Sequence, residues 1–254
     1  MNVGSVRIVG LGPGPASWIT PEATAALELA SDLVGYAPYL DRLEPRAGQR
    51  RHASDNRVEL TRARHALTLA ASGASVALVS GGDPGVFAMA AAVFEAIEQG
   101  DPAWRGLDIE VAPGITAMQA AAARLGAPLG HDFCAISLSD NLKPWEIIAR
   151  RLKAAAEGDF VIALYNPASA ARPTRIHDAF ALLRVIKAAQ TPVAFARAVG
   201  RANERIALAT LANADPGLAD MRTLVLIGSS QTRLVARGEG RPWLLTPRSY
   251  EPAR

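Results

Sequence analysis

The stretch Ser80-Gly81-Gly82-Asp83-Pro84-Gly85-Val86-Phe87 follows an apolar run at residues 75–79 and precedes a helix-like segment. An apolar run of strand length, a glycine-rich turn and a helix form the repeating unit of parallel sheets with helices on both faces. Ligands bind such sheets at the carboxyl ends of the strands. The stretch therefore predicts an α/β fold and indicates which loops carry the chemistry.

A second glycine turn, Gly10-Leu11-Gly12-Pro13-Gly14, follows a strand-like run at residues 6–9. It does not complete the dinucleotide pattern G-x-G-x-x-G, because the third glycine would fall on Pro15, and no G-K-[ST] follows. It fits the looser G-x-G-x-G of Rossmann-type methyltransferases, which stay an alternative. That alternative lacks its acidic residue at the end of the second strand, where Tyr36 stands, because Asp32 opens the strand instead.

Strand-like and helix-like segments alternate along the whole chain. Predicted strands cover residues 6–9, 32–36, 75–79, 108–111, 133–138, 160–164, 193–195, 206–210 and 224–227. Predicted helices begin near residues 21, 58, 86, 115, 144 and 173. Because Gly and Pro punctuate the chain at residues 113–116, we place a hinge there. The pattern predicts two α/β domains, residues 1–115 and residues 116–254.

The composition is that of a globular protein, since half of the 254 residues are apolar and a fifth are charged. The longest apolar runs have strand length, far short of a membrane span. The sequence passes from Met1 into a strand without the regions of a secretory signal, so we expect a cytoplasmic protein. One cysteine, Cys134, and four histidines show no metal-ligand spacing, and we predict no metal site.

The basic residues are almost all arginine, with lysine only at Lys143, Lys153 and Lys187, and the formal net charge is +3. The guanidinium fork binds carboxylates through two hydrogen bonds, which favours a polyanionic small molecule as the substrate. The codon bias of a GC-rich genome is an alternative cause, because the chain is also rich in alanine. Since no basic run is interleaved with aromatic residues, we expect no nucleic-acid partner.

Six motifs resemble those of the tetrapyrrole methylases in order and in spacing. They are VGLGPG at 9–14, SGGDPGVF at 80–87, APGITA at 112–117, LYNP at 164–167, PVAFAR at 192–197 and MRTLVLIGS at 221–229. The resemblance implies two α/β domains of the class III methyltransferase type with the active-site cleft between them. It also implies S-adenosylmethionine as the methyl donor, a polycarboxylate tetrapyrrole as the substrate and a homodimer.

Three segments most resemble the family members that act on a corrin precursor. They are SDNLKPW at 139–145, YNP at 165–167 and WLLTPR at 243–248. This resemblance implies methylation of carbon 17 with ring contraction during cobalamin (vitamin B12) biosynthesis. Methylation at another ring position, a cobalt-containing substrate and a non-catalytic tetrapyrrole-binding module stay alternatives, because a fold does not fix its substrate.

The resemblance also implies which residues bind the ligands. The donor-binding residues are Gly81, Gly82, Asp83, Val86, Thr116, Ala117, Tyr165, Asn166, Ala198 and Thr223. The glycines would let the donor approach the backbone closely, and Asp83 would complement its positive charge. Gly12 and Pro13 resemble a substrate-side loop.

Arginine is concentrated after the second predicted strand, at Arg42, Arg46, Arg50, Arg51, Arg57, Arg62 and Arg64. These side chains either bind the carboxylates of the substrate or form a solvated basic face. Arg50 and Arg51 are the first candidates for substrate binding.

Methyl transfer from a sulfonium to carbon is an in-line displacement, so alignment supplies much of the acceleration and no nucleophilic side chain is needed. Cys134 follows Phe133 in a strand pattern, which favours a small buried hydrophobic residue. Ring contraction requires a hydroxyl group of the macrocycle to lose its proton, and a base assists this step. His131 and Asp140 flank the strand that opens the second domain, and we predict that one of them is this base.

Overall fold

The computed structural model describes residues 4–56, 58–169 and 171–250. The chain packs into two compact units, Met1–Thr116 and Ala117–Arg254. Each unit has a five-stranded sheet and a hydrophobic core of its own.

The first unit is built on a parallel sheet. Its strands are β1 (Ser5–Gly10), β2 (Asp32–Tyr36), β3 (Arg50–Ser54), β4 (Ser75–Ser80) and β5 (Asp108–Ala112). They lie in the order β3-β2-β4-β1-β5, and every neighbouring pair is parallel. The carboxyl ends of all five strands therefore lie at one edge, as the alternating sequence pattern predicts.

Helices connect these strands. They are α1 (Pro21–Leu29), α2 (Ala37–Leu40), α3 (Glu59–Ala71) and α4 (Met89–Gln99). Helix α1 begins as predicted, because Thr20 Oγ1 accepts the N–H of Ala23 at 3.2 Å and Pro21 suits the first helical position. Apolar side chains of α3, α4, β1 and β4 form a buried core that includes Val6, Leu67, Leu78 and Val93.

Two details of the first unit differ from the sequence prediction. Helix α4 begins at Met89 rather than near residue 86, because Phe87 has a φ of 53° and Ala88 is extended. Strand β3 is not predicted, because its residues RRHAS are mostly polar. It lies at the edge of the sheet, where charged side chains are common and apolar alternation is not required.

The second unit contains a mixed sheet and a smaller one. Its helices are α5 (Ala117–Leu125), α6 (Trp145–Glu157) and α7 (Arg175–Ile186). Its strands are β6 (Gly126–Ala127), β7 (Phe133–Ser137), β8 (Val161–Tyr165), β9 (Pro192–Arg197), β10 (Arg205–Thr210), β11 (Thr223–Ile227), β12 (Arg233–Val235) and β13 (Trp243–Leu245). The larger sheet has the order β10-β9-β11-β8-β7, and the smaller has the order β12-β13-β6.

Only β7 and β8 form a parallel pair in the larger sheet, because β11 is antiparallel to β8 and β9, and β9 is antiparallel to β10. Residues 198–204 join β9 to β10, which is too short for a parallel crossover. The core between this sheet and helices α6 and α7 includes Leu152, Ile162, Phe180 and Leu183. The ring of Phe180 stacks on Phe195 with 6.0 Å between centroids.

Helices long and apolar enough to cross a membrane are not found in the described parts of the chain.

Candidate active site

Three glycine turns interlock at the carboxyl edge of the first sheet. Gly10 lies opposite Ser80 in the register of β1 and β4, so the turns after these strands leave the sheet side by side. The N–H of Gly12 donates to the carbonyl of Gly82 at 3.1 Å. A Cβ on Gly10 would lie 2.7 Å from the backbone nitrogen of Gly114, so only glycine fits there. The three turns form one tightly packed edge.

The carboxylate of Asp83 ties the second turn to the third. Its Oδ1 accepts the N–H of Gly85 at 2.8 Å, and its Oδ2 accepts the N–H of Gly114 at 3.0 Å. Both carboxylate oxygens are therefore used within the first unit. Any complementarity to a positive charge on the donor is additional to this structural role.

The two adjacent glycines of the second turn have different surroundings at the position that a side chain would occupy. Gly82 has a φ of 67°, and among the described residues the nearest atom to a Cβ there would be the carbonyl oxygen of Ile115 at 3.9 Å. A Cβ on Gly81 would lie 2.6 Å from the ring of Tyr39. Gly81 thus serves the packing of Tyr39, whereas Gly82 leaves room for a ligand near the backbone.

Arg42 holds the first glycine turn. Its guanidinium donates to the carbonyls of Leu11, Gly12 and Gly14 at 3.0, 2.9 and 2.9 Å. Gly12 is buried, and its N–H and carbonyl are both bonded within the unit, whereas Pro13 is half-buried. Arg42 therefore fixes the loop that the sequence assigns to the substrate side.

The other donor candidates of the first unit lie at the same edge. The N–H of Val86 donates to the carbonyl of Asp83 at 3.3 Å, inside the second turn. Thr116 follows β5 and is buried. The structure thus brings together Gly12, Gly82, Asp83, Val86 and Thr116 at the carboxyl edge.

Arg50 lies at the opposite edge of the sheet, which argues against its predicted role in substrate binding. It is the first residue of β3 and stands opposite Asp32, the first residue of β2. Its Nε and Nη2 donate to the fully buried Asp32 carboxylate at 2.9 and 2.8 Å. Burial acts to raise the pKa of Asp32, but hydrogen bonds from Arg50, Ser31 and His52 outweigh burial and bring the pKa to about 2. Arg50 is the counter-charge of a buried carboxylate.

Other arginines of this segment also bond within the first unit. Arg51 donates to the carbonyls of Leu40 and Leu43 at 3.1 and 2.6 Å. The further pairs are Arg46 with Glu28 at 2.9 Å and the buried Arg62 with Ser54 at 2.7 Å. Arg57 lies outside the described residues. These contacts indicate a supporting role in the fold for Arg51 as well.

In the second unit, the carboxyl ends of β7, β8 and β9 share one edge of the sheet, because β11 runs antiparallel to both β8 and β9. Tyr165 ends β8, and its Oη accepts the N–H of Met118 at 3.0 Å. Met118 is the second residue of α5, which Ala117 begins. The structure therefore places Tyr165 against the start of this helix.

Two donor candidates at this edge have left-handed backbones. Asn166 follows β8 with a φ of 51°, and Ala198 follows β9 with a φ of 50°. Such a conformation costs on the order of 1–3 kcal/mol in alanine, whereas asparagine adopts it more readily, and such positions cluster at ligand sites. Asn166 Nδ2 donates to Ser137 Oγ at 3.0 Å, and the N–H of Ala198 donates to the carbonyl of Arg222 at 2.9 Å. These contacts hold the strained positions in place.

Thr223 lies at the same edge, opposite Arg197 at the end of β9. Its buried hydroxyl donates to Asp220 Oδ1 at 2.7 Å and accepts the N–H of Asp220 at 3.1 Å. The side chain therefore fastens the turn before β11, and a ligand contact from Thr223 would come from its backbone.

Asp140 stands three residues beyond β7, at the edge that also carries Asn166. Its Oδ2 accepts from Nε of Arg175 at 2.7 Å, and Nε of Arg172 lies 3.6 Å from its Oδ1. The hydrogen bond from Arg175 lowers the pKa of Asp140 below its ordinary value, although burial opposes this. The hydrogen bond from Arg175 makes this carboxylate a weaker base than an unpaired aspartate.

His131 lies before β7, at the opposite edge of the sheet. Phe133 pairs with Val161 at that edge, and a strand of five residues spans about 13 Å. Nδ1 of His131 accepts the N–H of Asp132 at 2.7 Å, and its ring packs edge-on against Tyr250 with 5.0 Å between centroids. His131 and Asp140 therefore lie at different edges of the sheet, which argues against His131 and leaves its catalytic role a prediction.

Sequence reasoning missed three features of the first unit. The sequence gives no signal for the role of Arg42 beyond its place in an arginine-rich segment, because its carbonyl partners are 28 to 31 residues away along the chain. Tyr39 beneath Gly81 and the left-handed Phe87 likewise depend on three-dimensional packing.

The fold is that of a two-unit α/β protein, with glycine-rich turns after the strands of its first sheet. Residues 5–215 match the model of the family described as Tetrapyrrole (Corrin/Porphyrin) Methylases. The chain belongs to this family.

Several relatives match almost the whole chain. A precorrin-3B C(17)-methyltransferase of Sinorhizobium sp is 59% identical over 98% of each chain. A probable cobalt-factor III C(17)-methyltransferase of Salmonella typhimurium is 42% identical over 96% of this chain and 99% of its own. A crystal structure of the methyltransferase CobJ is similar with a TM-score of 0.92 and 53% identity, covering 96% of this chain and 100% of that one.

Proposed function

We propose that this chain is an S-adenosylmethionine-dependent C-methyltransferase that methylates precorrin-3B at C-17 in cobalamin biosynthesis. The observation that carries the proposal is the end-to-end match to the Sinorhizobium precorrin-3B C(17)-methyltransferase. The family match also favours this function over the Rossmann-type alternative.

The carboxyl edge of the first unit fits the methyl donor. The space where a Cβ of Gly82 would lie is open up to the carbonyl of Ile115, so a ligand can approach the backbone there. When bound, S-adenosylmethionine supplies a methyl group on a positively charged sulfur. We infer that the residues of the first unit that contact it are Gly81, Gly82, Asp83, Val86 and Thr116.

The second unit contributes its own donor-binding residues. The left-handed conformations of Asn166 and Ala198 support this inference, because neither residue is glycine and both follow strands at one edge. We infer that the set is Ala117, Tyr165, Asn166, Ala198 and the backbone of Thr223.

Alignment is the main contribution of the chain to methyl transfer. The bonds from Arg42 to the first turn and from Asp83 to the second and third turns keep the loops rigid. Rigid positioning of two reactants supplies about 7–11 kcal/mol in favourable cases. Burial raises the pKa of the Cys134 thiol to about 11, so the thiol is not a nucleophile at neutral pH. Gly12 and Pro13 are the proposed substrate-side loop.

We infer that ring contraction to precorrin-4 follows methylation. The hydroxyl on carbon 20 must lose its proton as a ring bond migrates and the hydroxyl becomes a ketone. Asp140 is the remaining candidate for the base, because it shares an edge with Asn166. General-base assistance contributes about 10²–10⁴-fold, and the low pKa of Asp140 favours the lower end.

A cobalt-containing substrate is the second candidate, because the Salmonella relative carries the name of cobalt-factor III. The higher identity to the Sinorhizobium protein favours the metal-free substrate. The test incubates the purified chain with labelled S-adenosylmethionine and either precorrin-3B or cobalt-factor III. We expect faster transfer to precorrin-3B. Faster transfer to cobalt-factor III would reverse the assignment, and transfer to neither would indicate another ring substrate or a non-catalytic tetrapyrrole-binding module.

We further propose that residues 1–115 and 116–254 are separate domains of a cytoplasmic homodimer. The glycine and proline at residues 113–114 support the boundary, and the family resemblance supports the dimer. Calorimetric unfolding of the intact chain should show two transitions, one for each domain, and light scattering should give twice the chain mass. A measured mass equal to that of one chain would contradict the proposed homodimer.

A further inference from the structure

Phe87 has an unusual conformation for a bulky residue. It follows the second glycine turn and has a φ of 53°, in the left-handed region that large side chains rarely adopt. The residue is 49% exposed, so about half of its surface is open to a ligand. Strained backbone conformations of this kind cluster at ligand sites.

The turn that carries Phe87 is held from several sides. The N–H of Ala90 donates to the carbonyl of Pro84 at 3.0 Å, which closes the turn across Phe87. Nη1 of the buried Arg62 lies 3.4 Å from Sδ of Met89. Together with the bonds of Asp83, these contacts impose the conformation of Phe87.

The position of Phe87 matches a role toward the substrate. The turn joins β4 to α4, so Phe87 lies at the carboxyl edge that carries Gly12 and Gly82. Arg42 and Asp83 hold the neighbouring turns through hydrogen bonds to backbone groups, so the contacts that fix these turns are polar. Phe87 adds a large aromatic ring to this edge.

We propose that Phe87 binds the substrate, with its ring packed against a pyrrole face of the tetrapyrrole while C-17 reacts. Aromatic rings pack favourably on flat conjugated faces, and a half-exposed ring held by strain is prepared for such a contact. This assignment rests on the proposed function, which supplies the tetrapyrrole.

The test compares Phe87→Asn with Phe87→Tyr. Asparagine adopts the left-handed conformation with less strain than alanine, so Phe87→Asn should have a higher urea midpoint of unfolding than Phe87→Ala, which also lacks the ring. Phe87→Asn should also raise the KM for precorrin-3B about tenfold, the loss expected for one aromatic contact. The dissociation constant for S-adenosylhomocysteine should not change. Phe87→Tyr keeps the ring and should keep the parent KM.

Phe94→Ala is the matched control. Phe94 is 52% exposed but lies within helix α4, so its loss should leave the KM unchanged. An unchanged KM in Phe87→Asn would overturn the substrate contact, and weaker binding of S-adenosylhomocysteine would reassign the ring to the donor. A urea midpoint of Phe87→Asn at or below that of Phe87→Ala would overturn the stored strain. If the parent enzyme itself does not methylate precorrin-3B, the proposed function fails, and the assignment of Phe87 fails with it.

Discussion

Asp140 and His131 lie at opposite ends of strand β7, so a single edge of the sheet cannot hold both. Asp140→Asn should slow ring contraction by about 10²-fold and leave methyl transfer unchanged, because it removes a base rather than an aligning residue. Single-turnover mass spectrometry should detect a methylated product with an uncontracted ring. His131→Ala is the control and should change neither step. If Asp140→Asn contracts the ring at the parent rate, the substrate moves its own proton.

The second prediction separates two roles of Asp83. If the carboxylate mainly ties the turns together, Asp83→Asn should weaken binding of S-adenosylmethionine and S-adenosylhomocysteine equally. It should also lower the free energy of unfolding by about 1–3 kcal/mol, because one backbone N–H loses its acceptor. Calorimetry with both ligands decides the matter. A loss confined to S-adenosylmethionine, which alone carries the sulfonium charge, would assign Asp83 to charge complementarity.

Asp101→Asn is the matched control for Asp83. Asp101 Oδ1 accepts a single N–H, from Ala103 at 2.9 Å, in an exposed turn of the same unit. Its replacement should leave both ligand affinities unchanged.

The third prediction concerns Gly82, where a side chain would occupy the proposed donor space. Gly82→Asn should fold, because asparagine tolerates a positive φ, but its binding of S-adenosylhomocysteine should be lost. Gly48→Asn is the control, because Gly48 has a φ of 78° with nothing within 4 Å of its would-be Cβ. Titration calorimetry on both variants, after circular dichroism has established folding, gives the answer. Parent affinity in folded Gly82→Asn would remove this turn from the donor site.

The fourth prediction concerns Arg50 and stability. The folded pKa of Asp32, about 2, lies below its ordinary 3.8, so the ionised carboxylate stabilises the fold above about pH 3.8. This contribution is lost as the pH falls toward 2. Arg50→Ala should lower the free energy of unfolding at pH 7 and weaken its pH dependence, because the buried carboxylate of Asp32 loses its arginine partner. The KM for precorrin-3B should not change.

Arg46→Ala is the comparison for Arg50, because the Arg46 to Glu28 pair is about half exposed on both sides. Its loss should cost about 0–1 kcal/mol in urea unfolding. A higher KM in Arg50→Ala with unchanged stability would return Arg50 to the substrate site.

The sequence predicts most of the fold because strands and helices here depend on local patterns. Strand β2 begins and ends at the predicted residues, and α1 begins at Pro21, where a cap and a proline coincide. Strand β3 escapes prediction because an edge strand does not need apolar alternation. The shift of α4 to Met89 follows from the strained Phe87, which no propensity indicates.

The site is predicted less completely than the fold, because its geometry depends on contacts between distant residues. The family resemblance predicts that Gly82 and Asn166 bind the donor, and both residues take left-handed conformations at strand ends. Proximity in sequence is weak support for the roles predicted for Arg50 and His131, because the two ends of a strand lie at different edges of a sheet. The role of Arg42 cannot be predicted from the sequence, because only the fold brings its three carbonyl acceptors to the guanidinium.

The most direct test of the proposed function determines which carbon of the substrate receives the methyl group. The purified chain is incubated with precorrin-3B and S-adenosylmethionine that carries a ¹³C-labelled methyl group, and the product is analysed by mass spectrometry and carbon NMR. We expect one added methyl group, with the label on C-17 of a contracted ring. A label on any other carbon, or no transfer at all, would contradict it.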